Sequence, residues 1–105
     1  MFSGGDYEEV GRWLRNFVVS HAKRENLRVE GVVETKGPRE GTSYGLRLRL
    51  GGRLLPPAGE APVELAYVEV AEQRGSRAWC AALAGRIQEL ARDLSETTRD
   101  TFKSA

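Results

Sequence analysis

The stretch Tyr44-Gly-Leu-Arg-Leu-Arg-Leu50 alternates strictly. Tyr44, Leu46, Leu48 and Leu50 share one parity, and Arg47 and Arg49 share the other. Successive strand side chains point to opposite faces, so this pattern describes a strand with one apolar and one charged face. Gly51-Gly52 breaks it, and Gly37-Pro-Arg-Glu-Gly41 ahead of it has the length and turn residues of a hairpin loop. Before that loop, Arg28 to Lys36 reads as a second strand, with Val29 and Val33 on one face and Val32 toward the other. The two strands are expected to pair antiparallel.

Helical periodicity brackets this hairpin. Asp6 with Glu9 three residues later makes a capping box, and both acids suit the positive end of a helix dipole. Tyr7, Val10, Leu14, Phe17, Val18 and His21 then recur at three- and four-residue spacing, with Trp13 at the margin of the stripe. The helix is expected to end near Glu25, with Asn26 as a left-handed cap. Near the C-terminus, Gly75-Ser76 supplies a turn and an N-cap, and Trp79, Leu83, Ile87, Leu90 and Leu94 form a second apolar stripe. Beyond Leu94 the stripe thins, so residues 95–105 read as a fraying helix end or tail around an ordered core of about 6–94.

Gly51 to Pro62 holds three prolines, which remove donors and fix φ, so the segment reads as a long, partly ordered loop. Leu54 and Leu55 have no strand or helix pattern within it. Val63 to Ala71 resumes extended structure but changes phase: Val63, Leu65 and Tyr67 share one parity, Ala66, Val68 and Val70 the other. Two accounts stay open, a bulge near Tyr67 or a strand covered on both faces by a partner or second copy.

At 105 residues the chain fits one domain. Hydrophobic residues at 40% and charged residues at 30% describe a folded domain rather than a disordered one. Sixteen Lys+Arg against fifteen Asp+Glu leave a net charge of +1, so no bulk field draws the protein to nucleic acid or an anionic membrane. No apolar run is long enough to span a bilayer and the N-terminal residues lack a signal-peptide pattern, which predicts a cytoplasmic protein. The single Cys80 excludes an internal disulfide, and in an Ala-rich helical pattern it reads as packing.

Chemistry-bearing motifs are few. His21 is the one histidine and lies on an apolar stripe; nothing around Ser20, Ser43, Ser76 or Cys80 resembles a nucleophile elbow. One Cys and one His give no recognisable zinc spacing, and neither glycine cluster ends in the Lys-Ser/Thr of a phosphate loop. The chain is therefore expected to be no enzyme and to need no cofactor or metal. Arg47 and Arg49, with Glu30, Glu34, Lys36 and Glu64 from flanking strands, are expected to form a solvated charge ladder.

The element order, Val32-Val33-Glu34 ahead of Gly37-Pro38, the alternating strand, Gly51-Gly52, and Gly75-Ser76-Arg77 opening an Ala-rich helix together resemble the double-stranded-RNA-binding domain. That resemblance implies an α-β-β-β-α fold, with RNA contacts from the first helix, the Gly-Pro loop and the start of the last helix. The chain departs from the family at those contacts: Glu40 stands where a loop histidine belongs, and Ala78 and Ala81 where lysines follow the serine. The hairpin from Val29 to Gly51 is also similar to that of cystatins, although only Gly41 matches their inhibitory loop.

The expected fold is α+β: a three-stranded antiparallel sheet with both helices packed on one face. Tyr44, Leu46, Leu48 and Leu50 would meet Leu14, Phe17, Leu83, Ile87 and Leu90 in one core. The expected function is a non-enzymatic binding module acting through protein–protein contact, including contact with a second copy, through Trp13, Leu54, Leu55, Val68 and Val70. The alternative is nucleic-acid binding through Arg12, Arg15, Lys23, Arg39, Arg74 and Arg77.

Overall fold

The computed structural model describes the backbone of residues 5–104 and the side chains of residues 5–96. In chain order the elements are helix α1 (Tyr7–Glu25), strand β1 (Glu30–Glu34), a 3-10 turn (Gly37–Arg39), strands β2 (Ser43–Leu50), β3 (Arg53–Leu55) and β4 (Val63–Ala66), and helices α2 (Tyr67–Gln73) and α3 (Arg77–Ser104). The class is α+β, and all ladders of the four-stranded sheet are antiparallel.

The strand at the centre is β2. On one side β1 pairs with it in the register Val33 to Leu46 and Glu30 to Arg49. On its other side β3 takes the Leu48–Leu50 end and β4 takes the Ser43–Leu46 end. The third position in the sheet is thus filled by two short strands in succession, where one was expected. Gly51 at φ 62° makes the tight turn, and Arg53-Leu54-Leu55 finds ladder partners before Pro56 and Pro57 end the pairing. A cis peptide bond joins Leu55 to Pro56.

The phase change at Tyr67 marks neither a bulge nor a doubly covered strand. The strand stops at Ala66, and Tyr67, Val70 and Ala71 continue at the three- and four-residue spacing of α2. Asp6 caps α1 as expected, its Oδ1 accepting from the Glu9 N–H at 2.8 Å. Ser76 caps α3 by accepting from the Trp79 N–H. Asn26 ends α1 in an extended conformation rather than a left-handed one; its Oδ1 accepts from the Arg28 N–H and its Nδ2 donates to Ser95 Oγ.

One core joins Val10, Leu14 and Val18 of α1, Tyr44, Leu46 and Leu48 of β2, and Leu83, Ile87, Ala91 and Leu94 of α3. Phe17, Leu50 and Leu90, expected there, are only partly buried at its edge. Helix α1 approaches β1 directly at Gly31, where a Cβ would stand 2.9 Å from a Val18 methyl and 3.3 Å from the Val19 nitrogen. Contacts between residues 13 and 79, 25 and 92, and 26 and 95 lay α1 and α3 side by side in the same direction. The expectation for the chain end, residues 95–105, falls mostly outside the described side chains; the α3 backbone is helical to Ser104.

Candidate functional site

On the charged face of the sheet Arg39, Arg47 and Arg49 form ion pairs with Glu30, Glu34 and Glu64, whereas Lys36, expected among them, lines the cleft between α1 and β1. Arg49 pairs with Glu30 across the β1–β2 ladder. Arg39 donates to both carboxylate oxygens of Glu64, at 3.0 and 3.2 Å, and to Glu34 at 3.3 Å. Ser43 adds a hydroxyl to Glu64, and these bonds hold the Glu64 carboxyl below its ordinary pKa, with Arg39 the larger cause. A Cβ on Gly45 would crowd Pro62 at 2.8 Å and the Arg39 guanidinium at 3.2 Å, so the missing side chain makes room for this cluster.

Arg47 is different, because the prolines cover it. Its side chain is only 8% exposed. Nε donates to Glu34 at 2.8 Å, Nη1 to the carbonyls of Pro56 and Pro57 at 2.8 and 2.6 Å, and Nη2 to the Glu60 carbonyl at 2.8 Å. A guanidinium offers five donors in a rigid fork, which suits one charge holding several loop carbonyls. The loop expected to be partly ordered is pinned to the sheet by this residue. Its leading end, Leu54 and Leu55, is strand β3, half-buried beside Leu94.

A second feature is aromatic. All three tyrosines converge at the start of α1. Tyr7 and Tyr44 stack with centroids 4.6 Å apart, and Tyr67 meets both edge-on. The phenol of Tyr7 donates to the Ser43 carbonyl, Tyr44 to the Tyr7 carbonyl and Tyr67 to the Gly5 carbonyl. Burial, then the neighbouring Tyr7 and Tyr67, push the Tyr44 phenol well above its ordinary pKa. The cluster locks α1 to the start of β2 and of α2.

Along α1 and α3 lies a row of partly buried rings, of which Trp13, Phe17 and Trp79 also pack against the core. Trp13 stacks on Phe17 at 5.1 Å and faces Trp79 at 6.5 Å, and Phe17 meets His21 at 4.4 Å. Trp79 Nε1 donates to Glu69 at 2.9 Å, tying the row to α2. His21 Nδ1 is buried without a hydrogen-bond partner; burial first, then Arg24, lowers the imidazole pKa. Val68 at 55% and Leu27 at 79% are the exposed large apolar residues among those described.

The cations expected to meet nucleic acid stand in different local settings. Arg12 and Arg15 line a cleft of about 370 Å³ between α1 and β1, with Tyr7, Gly11, Val33, Thr35 and Lys36. Arg39 lies in the Glu34–Glu64 cluster, and Lys23 donates to the Leu27 carbonyl. Arg74 caps the end of α2 and Arg77 begins α3. Of the expected interface residues, Trp13 lies in the aromatic row and Val68 is exposed, whereas Val70 is fully buried in the core. Burial takes Val70 out of reach of a partner: its helical spacing from Tyr67 turns it inward.

Sequence reasoning missed the Trp13–Trp79 pairing, the tyrosine cluster and the role of Arg47. The signal for the last was present: an arginine on a strand facing a run of prolines whose carbonyls have no ladder partners. Among the described residues, no group of three or more His, Cys, Asp or Glu side chains could hold a metal ion. No helix among them is long and apolar enough to cross a membrane. Comparison with protein-family models, curated proteins and solved structures found no match.

Proposed function

We propose that this protein is a non-enzymatic interaction module whose contact surface is the ring row of α1 and α3, with a second copy of the chain as the first partner to test. The observation that carries the reading is the placement of both tryptophans, Trp13 and Trp79, in one stacked, partly buried row with Phe17. Tryptophan is enriched at the energetic centres of interfaces because it buries a large area with few rotors. Val68 adds exposed apolar surface on α2, the helix whose Glu69 binds Trp79. The reading takes α1 and α3 as covering the Tyr44–Leu48 face together, with the Arg39–Arg47–Arg49 face serving structure.

Light scattering across a protein concentration series tests it. The expected result is a mass that rises toward twice the monomer and a Trp13→Glu variant that remains folded and monomeric. A constant monomer mass at the highest soluble concentration overturns self-association.

Nucleic-acid binding through a double-stranded-RNA-binding-domain-like arrangement is the weaker proposal. Of its contact set Arg12 and Arg15 line one cleft, and Arg39 already holds two carboxylates. Titration with labelled RNA and DNA duplexes at low salt would favour it if binding is tight and weakens steeply as salt rises.

A further inference from the structure

The sheet has one continuous open edge among the described residues. Strand β1 pairs with β2 alone, so its other side presents backbone N–H and C=O groups with no strand against them. The opposite edge is interrupted, because β3 ends at Leu55 and Pro56, Pro57 and Pro62 separate it from β4.

Helix α1 packs over β1 at Gly31, and the cleft lies between the two elements. Val33 and Thr35 form its strand side, and Tyr7 and Gly11 its helix side. A second depression, of about 460 Å³, continues past Arg12 and Arg15 to Val19. Open edges are commonly guarded by charge, and β1 carries Glu30 and Glu34. Both carboxylates, however, are held on the far face by Arg49, Arg47 and Arg39.

The rim has a sign. Arg39, Arg47, Arg49 and Arg92 each hold a carboxylate, whereas Arg12, Arg15 and Lys36 hold no ion pair among the described residues. Glu8 and Glu40 also line the cleft, and Glu40 acts on the Tyr7 phenol, which puts it at the Tyr7 end. The stretch along Arg12 and Arg15 is basic.

We propose that an extended acidic peptide segment docks here as an added strand on β1, its backbone completing the ladder and its carboxylates meeting Arg12, Arg15 and Lys36. Strand addition gives affinity through main-chain hydrogen bonds and specificity through alternate side chains. One parity of the peptide would sit over Gly11 and Val33, and the other would face solvent. This surface is separate from the ring row, so either reading can fail alone.

The test is an amide-shift titration of the isotopically labelled full chain with an end-blocked peptide of alternating glutamate and valine. Saturable shifts at Gly31 to Thr35 and along Arg12–Arg15 are expected. The double variant Arg12→Glu/Arg15→Glu, both sites exposed, should stay folded and weaken binding by about tenfold or more. The same peptide N-methylated on alternate amides should lose binding, and its lysine–valine counterpart should bind far more weakly. The proposal is overturned if no saturable binding occurs, if the N-methylated peptide binds equally well, or if an RNA duplex gives the same shifts and displaces the peptide.

Discussion

Truncating Arg47 would leave the carbonyls of Pro56, Pro57 and Glu60 without their donor and Glu34 without its closest cation. Hydrogen bonds to a charged group are worth more than neutral ones, and removing one member of a buried pair strands the other. Glu34 is partly exposed, which moderates the loss. Arg47→Ala should therefore cost about 2–3 kcal/mol in chemical denaturation, and Arg47→Lys less, since one ammonium cannot reach all four acceptors. The loop at 56–62 should also become a protease site in Arg47→Ala. An unchanged unfolding midpoint would show that the loop holds without its pin. His21 makes a pH prediction. Its folded pKa lies below the ordinary 6.5, so the unfolded state binds the proton more readily. Its contribution is full above that value and declines as pH falls through it. In His21→Gln the loss of stability between neutral and mildly acid pH should be shallower; an identical slope would exclude His21 as a source.

Of the elements, α1, β1, β2 and α3 were legible because each carries a pattern long enough to average over exceptions. The caps Asp6 and Ser76 were readable one residue at a time, since a side-chain acceptor before a helix has few other uses. β3 and α2 were not legible. β3 is three residues between a glycine pair and a proline pair, too short for any period to register. α2 is seven residues rich in β-branched side chains, so Val68 and Val70 read as strand while Tyr67, Val70 and Ala71 followed a helical turn. The change of parity at Tyr67 was the boundary itself. The two leucines of β3 differ in exposure to this test: Leu55 packs against the core, and Leu54 is not among the residues that do. Leu55→Ser should lower stability by about 1–3 kcal/mol and Leu54→Ser by clearly less. Equal small losses would mean that the strand adds little to the core. In the centre of the sheet, Leu48→Asp would bury a charge at a position 1% exposed and should prevent folding; a cooperative melt near that of wild type would refute the core assignment.

For the whole molecule, one sheet face gathers three Arg and three Glu into ion pairs. That face was legible as a ladder from alternation alone, but its cover was not, because which chain segment crosses a sheet face is a matter of tertiary topology. The candidate site was less legible than the fold. Trp13 and Trp79 are 66 positions apart, and only the parallel lie of α1 and α3 brings them together. The measurement that tests the central claim most directly is acrylamide quenching of tryptophan emission across a dilution series, read beside the mass. Both tryptophans report, since both lie in the row. The account predicts emission that is shifted to the blue and poorly quenched at concentrations where the mass is doubled, and more strongly quenched where it is not. A doubled mass with unchanged quenching would place the interface elsewhere, and a mass that never doubles would contradict self-association through this surface.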